Sequence, residues 1–223
     1  MPTKLDESLG DLKEQIVSMG NVAQEMIKTA MRALVERDPA LVDKGNQFEE
    51  QVDRFQVEVD DAVVRLMAGF GPVALDLRFV LMVARINTEL ERIGDQAVNM
   101  CEHAQLLLRE PELKKLVDLP RMAEIASEMV KDSLQAFRES STSKAAEVIK
   151  NDGEVDALND QIFRELLTYM LNDANTITRS LALILTARSL ERIADHATNI
   201  AEEVIYMVKG EDVRHPDVMH PES

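Results

Sequence analysis

Four pairs of acidic residues, each spaced four apart, are where this chain could do chemistry: Glu49/Asp53, Glu91/Asp95, Asp152/Asp156 and Glu191/Asp195. At 3.6 residues per helical turn, that spacing puts both side chains of a pair on one helix face. Carboxylates so placed offer oxygen ligands to hard cations such as magnesium, manganese or calcium, and to iron. Where several crowd together, their like charges raise one another's pKa unless a cation or an arginine intervenes. A solvated helix face is the competing reading, and it fits any one pair taken alone. Acids at i, i+4 are common there, and Arg92 and Arg192, directly after Glu91 and Glu191, can pair with neighbouring acids. Recurrence at matched positions brings metal binding level with that reading.

The matching extends far beyond the acids. The segment Glu89-Leu90-Glu91-Arg92-Ile93-Gly94-Asp95-Gln96-Ala97-Val98-Asn99 returns one hundred residues later as Ser189-Leu190-Glu191-Arg192-Ile193-Ala194-Asp195-His196-Ala197-Thr198-Asn199. Earlier segments align at an offset of 103: Glu25-Met26 with Glu128-Met129, Ala33 with Ala136, Val52-Asp53 with Val155-Asp156. A period near one hundred exceeds the ~20–50 residues of solenoid units, so two fused copies of one unit is the better description.

Each unit must supply helices to hold the pairs. Ile16, Met19, Val22, Ala23, Met26, Ile27, Ala30, Met31 and Leu34 recur at three and four, which predicts a helix over 5–36. Asp38-Pro39 starts a second, as N-cap and first helical residue, expected to end near Ala68 before Gly69-Phe70-Gly71-Pro72. A third is expected from Val73 to Arg109. In the second copy the spans are Arg121 to Phe137, a helix capped at Ser140-Ser141-Thr142 and reaching Leu171, and a last one stopping at Gly210. The expected architecture is all-α: two tandem antiparallel three-helix bundles, six helices in all, related by internal duplication. The units are 1–112 and 113–212, followed by an irregular tail over 213–223.

Composition agrees. Hydrophobic residues make up 45% and charged residues 30%, with 8 Gly, 7 Pro and no Trp, so aliphatic side chains and the 12 Met must fill the core. A net charge of −16 excludes nucleic acid as a partner, since phosphates require Lys and Arg, and argues against docking on an anionic membrane. The longest apolar runs fall far short of the ~20 residues of a spanning helix, so no direct membrane insertion is expected. The N-terminus shows no apolar signal-peptide core, and Cys101, the sole cysteine, reads as a small buried hydrophobe; a cytoplasmic location is the expectation.

Enzymatic alternatives find little support in the residues. A carboxylate-bridged metalloenzyme of the helical-bundle type needs Glu-x-x-His on two helices, and none of His103, His196, His215 and His220 follows a Glu at that spacing. No Ser-His-Asp order, phosphate-cradling glycine loop or cysteine metal pattern is present. His196 reads as a surface residue, because its counterpart is Gln96, and His215 and His220 as tail residues.

The doubled Leu-Glu-Arg-Ile-Gly/Ala-Asp with Asn four further on resembles the PhoU family of phosphate transport accessory proteins. Pro72 with Asp76-Leu77-Arg78, Leu167-Thr168-Tyr169-Met170, Ala187-Arg188-Ser189 and Val208-Lys209-Gly210-Glu211-Asp212 with Arg214-His215 agree with it, so the likeness covers essentially the whole chain. Gly71 in place of a frequent Gln, and Ala194 in place of Gly, depart from the family pattern. The resemblance implies a homodimeric, non-enzymatic negative regulator of the phosphate-starvation response. Its implied partners are the ATPase subunit of the high-affinity phosphate ABC transporter and a sensor histidine kinase. It also implies metal clusters, iron or zinc among them, at Glu49, Asp53, Glu91, Asp95, Asp152, Asp156, Glu191 and Asp195, with Asn99, Asn199, Arg92 and Arg192 as supporting contacts. Neither the metal's identity nor its occupancy carries over.

Overall fold

A computed structural model describes residues 3–213, and among them the chain forms six α-helices and a one-turn 3-10 helix. They are α1 (Lys4–Glu36), α2 (Pro39–Phe70), α3 (Ala74–Leu107), α4 (Asp118–Glu139), α5 (Thr142–Asn172) and α6 (Ile177–Lys209), with the 3-10 turn at Ala174–Thr176 before α6. The irregular tail expected over 213–223 lies outside the described residues from 214 onward, and His215 and His220 lie there too.

Local chemistry sets the helix ends. Thr3 and Asp6 form a reciprocal capping box at the start of α1, with the Thr3 amide donating to Asp6 Oδ2 at 2.7 Å and the Asp6 amide to Thr3 Oγ1 at 3.2 Å. Asp38 accepts from the Ala40 amide at 2.9 Å, with Pro39 as the first residue of α2. Ser141 caps α5 and Gly210 closes α6 in the left-handed region, as the sequence suggests.

Four helix ends differ from expectation by two residues or more: α3 stops at Leu107 rather than Arg109, α4 reaches Glu139 rather than Phe137, and the other two have a local cause. α2 passes through Gly69 to Phe70, because the stop is the left-handed Gly71, whose amide bonds to the Met67 carbonyl at 3.2 Å. α4 begins at Asp118 rather than Arg121, so Pro120 sits in its first turn, where a missing amide hydrogen leaves nothing unsatisfied.

α1, α2 and α3 pack against one another, as do α4, α5 and α6, and the halves meet through α1 on α4 and α3 on α6. The buried apolar side chains form one continuous core across both halves. Close approach of α1 to α4 depends on Gly20, since a Cβ there would fall 2.3 Å from Leu134 Cδ1. Phe79 of α3 stacks on the fully buried Phe137 of α4 with centroids 5.9 Å apart. The α3–α4 link is also tied down. Arg37, itself in the left-handed region, donates to the carbonyls of Leu107 (3.0 Å) and Glu110 (2.6 Å). Arg179 of α6 donates to the Pro111 carbonyl, and Lys114 pairs with Glu165 of α5.

Candidate functional site

In the first half, Val52 of α2 faces Gly94 of α3 so closely that a Cβ at 94 would lie 3.2 Å from Val52 Cγ1. The next residues along, Asp53 and Asp95, belong to the acid pairs, so this close crossing brings the pairs of α2 and α3 together. Burial pushes the Glu49 carboxyl above its ordinary pKa, and the charges of Asp53, Asp95, Glu102 and Glu50 push it further. Glu91 is raised in the same way by burial, Asp95 and Asp53, with Arg92 pulling against them.

The second half repeats the arrangement between α5 and α6, where Val155 and Ala194 are both fully buried. Burial, then Asp156, Asp195 and Glu191, push Asp152 up to about 6. Glu191 is raised by burial and Asp195 against the pull of Arg188, and Asp195 by burial and Asp156 against His196 and Arg192. In both copies the first acid of each pair is half-buried and the second exposed.

The structure therefore gathers all eight predicted carboxylates into two groups of four, one per half. None of the eight makes an ion pair with a cation among the described residues. Their chemistry, all oxygen and mutually repelling, suits a hard cation. As the side chains stand, however, no three His, Cys, Asp or Glu among the described residues are arranged to hold a metal ion. Cys101 offers no help, since its thiol is 2% exposed and pushed up to about 11 by burial and the nearby Glu49 and Glu102.

The residues named as supporting contacts point elsewhere. Asn199 donates to Glu89 Oε2 at 3.0 Å, and His196 Nδ1 lies 2.7 Å from the same oxygen. His196 is thus not the surface residue its Gln96 counterpart suggests: its side chain is 14% exposed, inside the seam between α3 and α6. Burial raises the Glu89 carboxyl, but the bonds from His196 and Asn199 outweigh it and leave the group below its ordinary value. One turn along, Arg85 reaches both carboxylate oxygens of the buried Glu203 at 3.2 Å. Asn99 and Arg192 instead line a cleft of about 290 Å³ on the other side of this seam, with Gln96, His103, Leu185, Arg188 and Ser189. Arg92 stays beside Glu89 and Glu91, adding a small downward pull to each while Glu91 remains raised.

Sequence reasoning missed these seam residues because it weighed where the copies agree. Burial along 81–100 matches 181–200 at every position but one, Glu89 against Ser189, and that one substitution was the available signal.

The sequence profile of the PhoU domain matches the chain twice, over residues 16–104 and 119–204. The chain is 40% identical to the phosphate-specific transport system accessory protein PhoU homolog of Aquifex aeolicus, over 96% of this chain and 97% of that one. It is 33% identical to the accessory protein PhoU of Escherichia coli K12, over 95% and 88%. Among solved structures, PhoU from Pseudomonas aeruginosa superposes with a TM-score of 0.90 at 33% identity, covering 93% of this chain and all of that one. The phosphate transport system regulatory protein PhoU from Streptococcus pneumoniae gives 0.87 at 26%, covering 94% and 99%.

Proposed function

The chain belongs to the PhoU family, and on that premise we propose that it is a non-enzymatic, cytoplasmic regulator that restrains a phosphate ABC transporter and holds its partner sensor kinase in the signalling-off state. The observation that carries this reading is relatedness along nearly the whole length, 33–40% over 95–96% of the chain, to proteins named as accessories of the phosphate-specific transport system. An adapter shifts a partner between two conformations only by its differential affinity for them. The described residues contain no helix long and apolar enough to cross a membrane, so the chain would meet the transporter from outside the bilayer. Its acidic surface would steer it toward basic patches, with binding that weakens as salt rises.

The test is a pull-down from phosphate-replete cells, paired with deletion of the gene and a phosphate-starvation reporter read at high phosphate. Recovery of the transporter ATPase or the kinase, with a derepressed reporter, is the expected result. A silent reporter with neither partner recovered sinks the regulatory reading and favours a carboxylate-bridged metalloenzyme.

The two four-carboxylate groups are proposed as metal sites, at Glu49, Asp53, Glu91 and Asp95 and at Asp152, Asp156, Glu191 and Asp195. Support comes from their convergence without an ion-paired cation among the described residues and from the raised pKa of Glu49, Glu91, Asp152, Glu191 and Asp195, which a bound cation would reverse. Closing three ligands on one ion would require the side chains to draw in from where they stand. A hard cation, or iron or zinc, would there neutralise charge and brace adjacent helices. Elemental analysis of untagged protein is expected to show metal that falls in the double variant Asp95→Ala, Asp195→Ala; content equal to background in the parent would refute it.

A further inference from the structure

On a chain of net charge −16, the cleft between α3 and α6 is unusual, because among the described residues its lining includes Arg188 and Arg192 and no acid. Neither arginine makes an ion pair or a hydrogen bond with a carboxylate among the described residues, although both stand near enough to Glu191 to pull its pKa down. His103, also in the lining, has a buried Nδ1 without a hydrogen-bond partner. Burial holds this imidazole below its ordinary pKa, with Glu102 pulling the other way; as a neutral ring it can donate one hydrogen bond.

The internal repeat supplies an independent comparison. Moving by one hundred residues carries Ser189 onto Glu89, Gln96 onto His196, Asn99 onto Asn199, Arg192 onto Arg92, Leu185 onto Arg85 and His103 onto Glu203. At the related seam, then, the chain itself supplies two anions. Glu89 is held by His196 and Asn199, and Glu203 by Arg85. At the cleft both anions are gone, replaced by Ser189 and His103, while Asn99 and Arg192 are retained and Arg188 stands in place of Thr88. The donor set for a carboxylate is present without the carboxylate.

We propose that this cleft binds a small free oxyanion of the phosphate class, gripped by Arg188 and Arg192 from α6 and by Asn99, Gln96 and His103 from α3, in the place that Glu89 fills at the related seam. Guanidinium groups present paired N–H donors that match the oxygens of a tetrahedral oxyanion, and a cleft of about 290 Å³ has room for one with its bridging waters. The site lies beside the carboxylate group of the second half, with no member of that group in its lining among the described residues, and it does not rest on the regulatory reading: the isolated chain would bind the anion with no transporter present.

The test is calorimetric titration of the purified, chelator-treated chain with inorganic phosphate at low ionic strength; removing metal rules out phosphate held through a cation on the acids. Saturable binding of one phosphate per chain is expected. Arg188→Ala and Arg192→Ala, both at exposed positions, should each weaken it about tenfold or more. Ser189→Glu, which plants the carboxylate that Glu89 supplies at the related seam, should abolish it. Lys131→Ala removes a cation on α4 that does not line the cleft and should leave it unchanged. Should Ser189→Glu fail to fold, the arginine variants decide. Absence of saturable binding, or binding that all three cleft variants leave intact, overturns the proposal. Loss of partner recovery in the cleft variants without any phosphate binding overturns it too, and would mark the cleft as a seat for a partner's acidic side chain.

Discussion

The two sides of the α3–α6 seam descend from one repeated segment and have opposite electrostatics. One side is closed by Glu89 between His196 and Asn199 and by the pair Arg85–Glu203. The other is an open cleft with two arginines that pair with no carboxylate among the described residues. Both sides are helical and burial matches at all but one position, so the contrast arises from a handful of substitutions on a shared frame. Duplication fixes where side chains point; divergence decides which of the two seams satisfies its own charges.

Whether that shared frame unfolds as one body gives the largest expected effect. Phe137→Ala removes a ring that carries the stack between the halves and should cost about 3–5 kcal/mol. Calorimetry should show one transition moving down as a whole; two transitions, with only one displaced, would mean the halves are energetically separate.

Next in size is Glu89→Ser, which makes the closed side resemble the open one. His196 and Asn199 lose a charged partner inside the seam, at a cost of about 1–3 kcal/mol near neutral pH. Because the folded pKa of Glu89 lies below its ordinary value, the stability it contributes is present above about pH 4.5 and fades as pH falls through the folded value. Chemical denaturation of parent and variant should therefore converge in acid.

The carboxylate groups run the other way. Asp152 titrates near 6 in the folded chain against 3.8 ordinarily, and Glu49, Glu91, Glu191 and Asp195 are also raised. Folded protein then holds protons that the unfolded chain has released, so these groups make the metal-free protein lose stability as pH rises from about 4 to about 6. Asp152→Asn should recover less than about 1 kcal/mol at pH 7, because solvent screens a partly exposed group. A metal-free parent whose melting temperature is no higher than that of the variant at pH 4, and no lower at pH 7, would show the repulsion to be negligible.

Smallest is Gly94→Ala, which chemical denaturation should find near neutral, its helix-propensity gain offset by the 3.2 Å contact with Val52.

Much of this was legible in the chain. The periodicity from Ile16 to Leu34, the Asp38-Pro39 start and the Gly210 stop are local signals, and local signals set helix ends. The acid pairs were legible as pairs; their convergence followed from helices forced side by side by a shared apolar face. The expected start at Arg121 fell three residues late, because Pro120 just before it reads as a breaker unless its distance from the helix start is known. His196 misled for a different reason: its partner, Glu89, lies 107 residues away, and no spacing rule reaches across a seam between duplicated units.

Arg37 has a mechanical consequence. Its guanidinium, projecting from the turn between the first two helices, grips the carbonyls where the third helix runs out into the link. The connection between copies is thus latched to its own bundle by Arg37 and riveted to the other by Arg179 of α6 and by Glu165 of α5, which pairs with Lys114 of the link. A strand so fastened cannot act as a slack tether. The halves are then coupled through packed helices rather than through a loose link, and the amide protons of residues 108–110, bonded to the carbonyls of Ala104, Leu106 and Leu107, should exchange no faster than those of the last turn of α3.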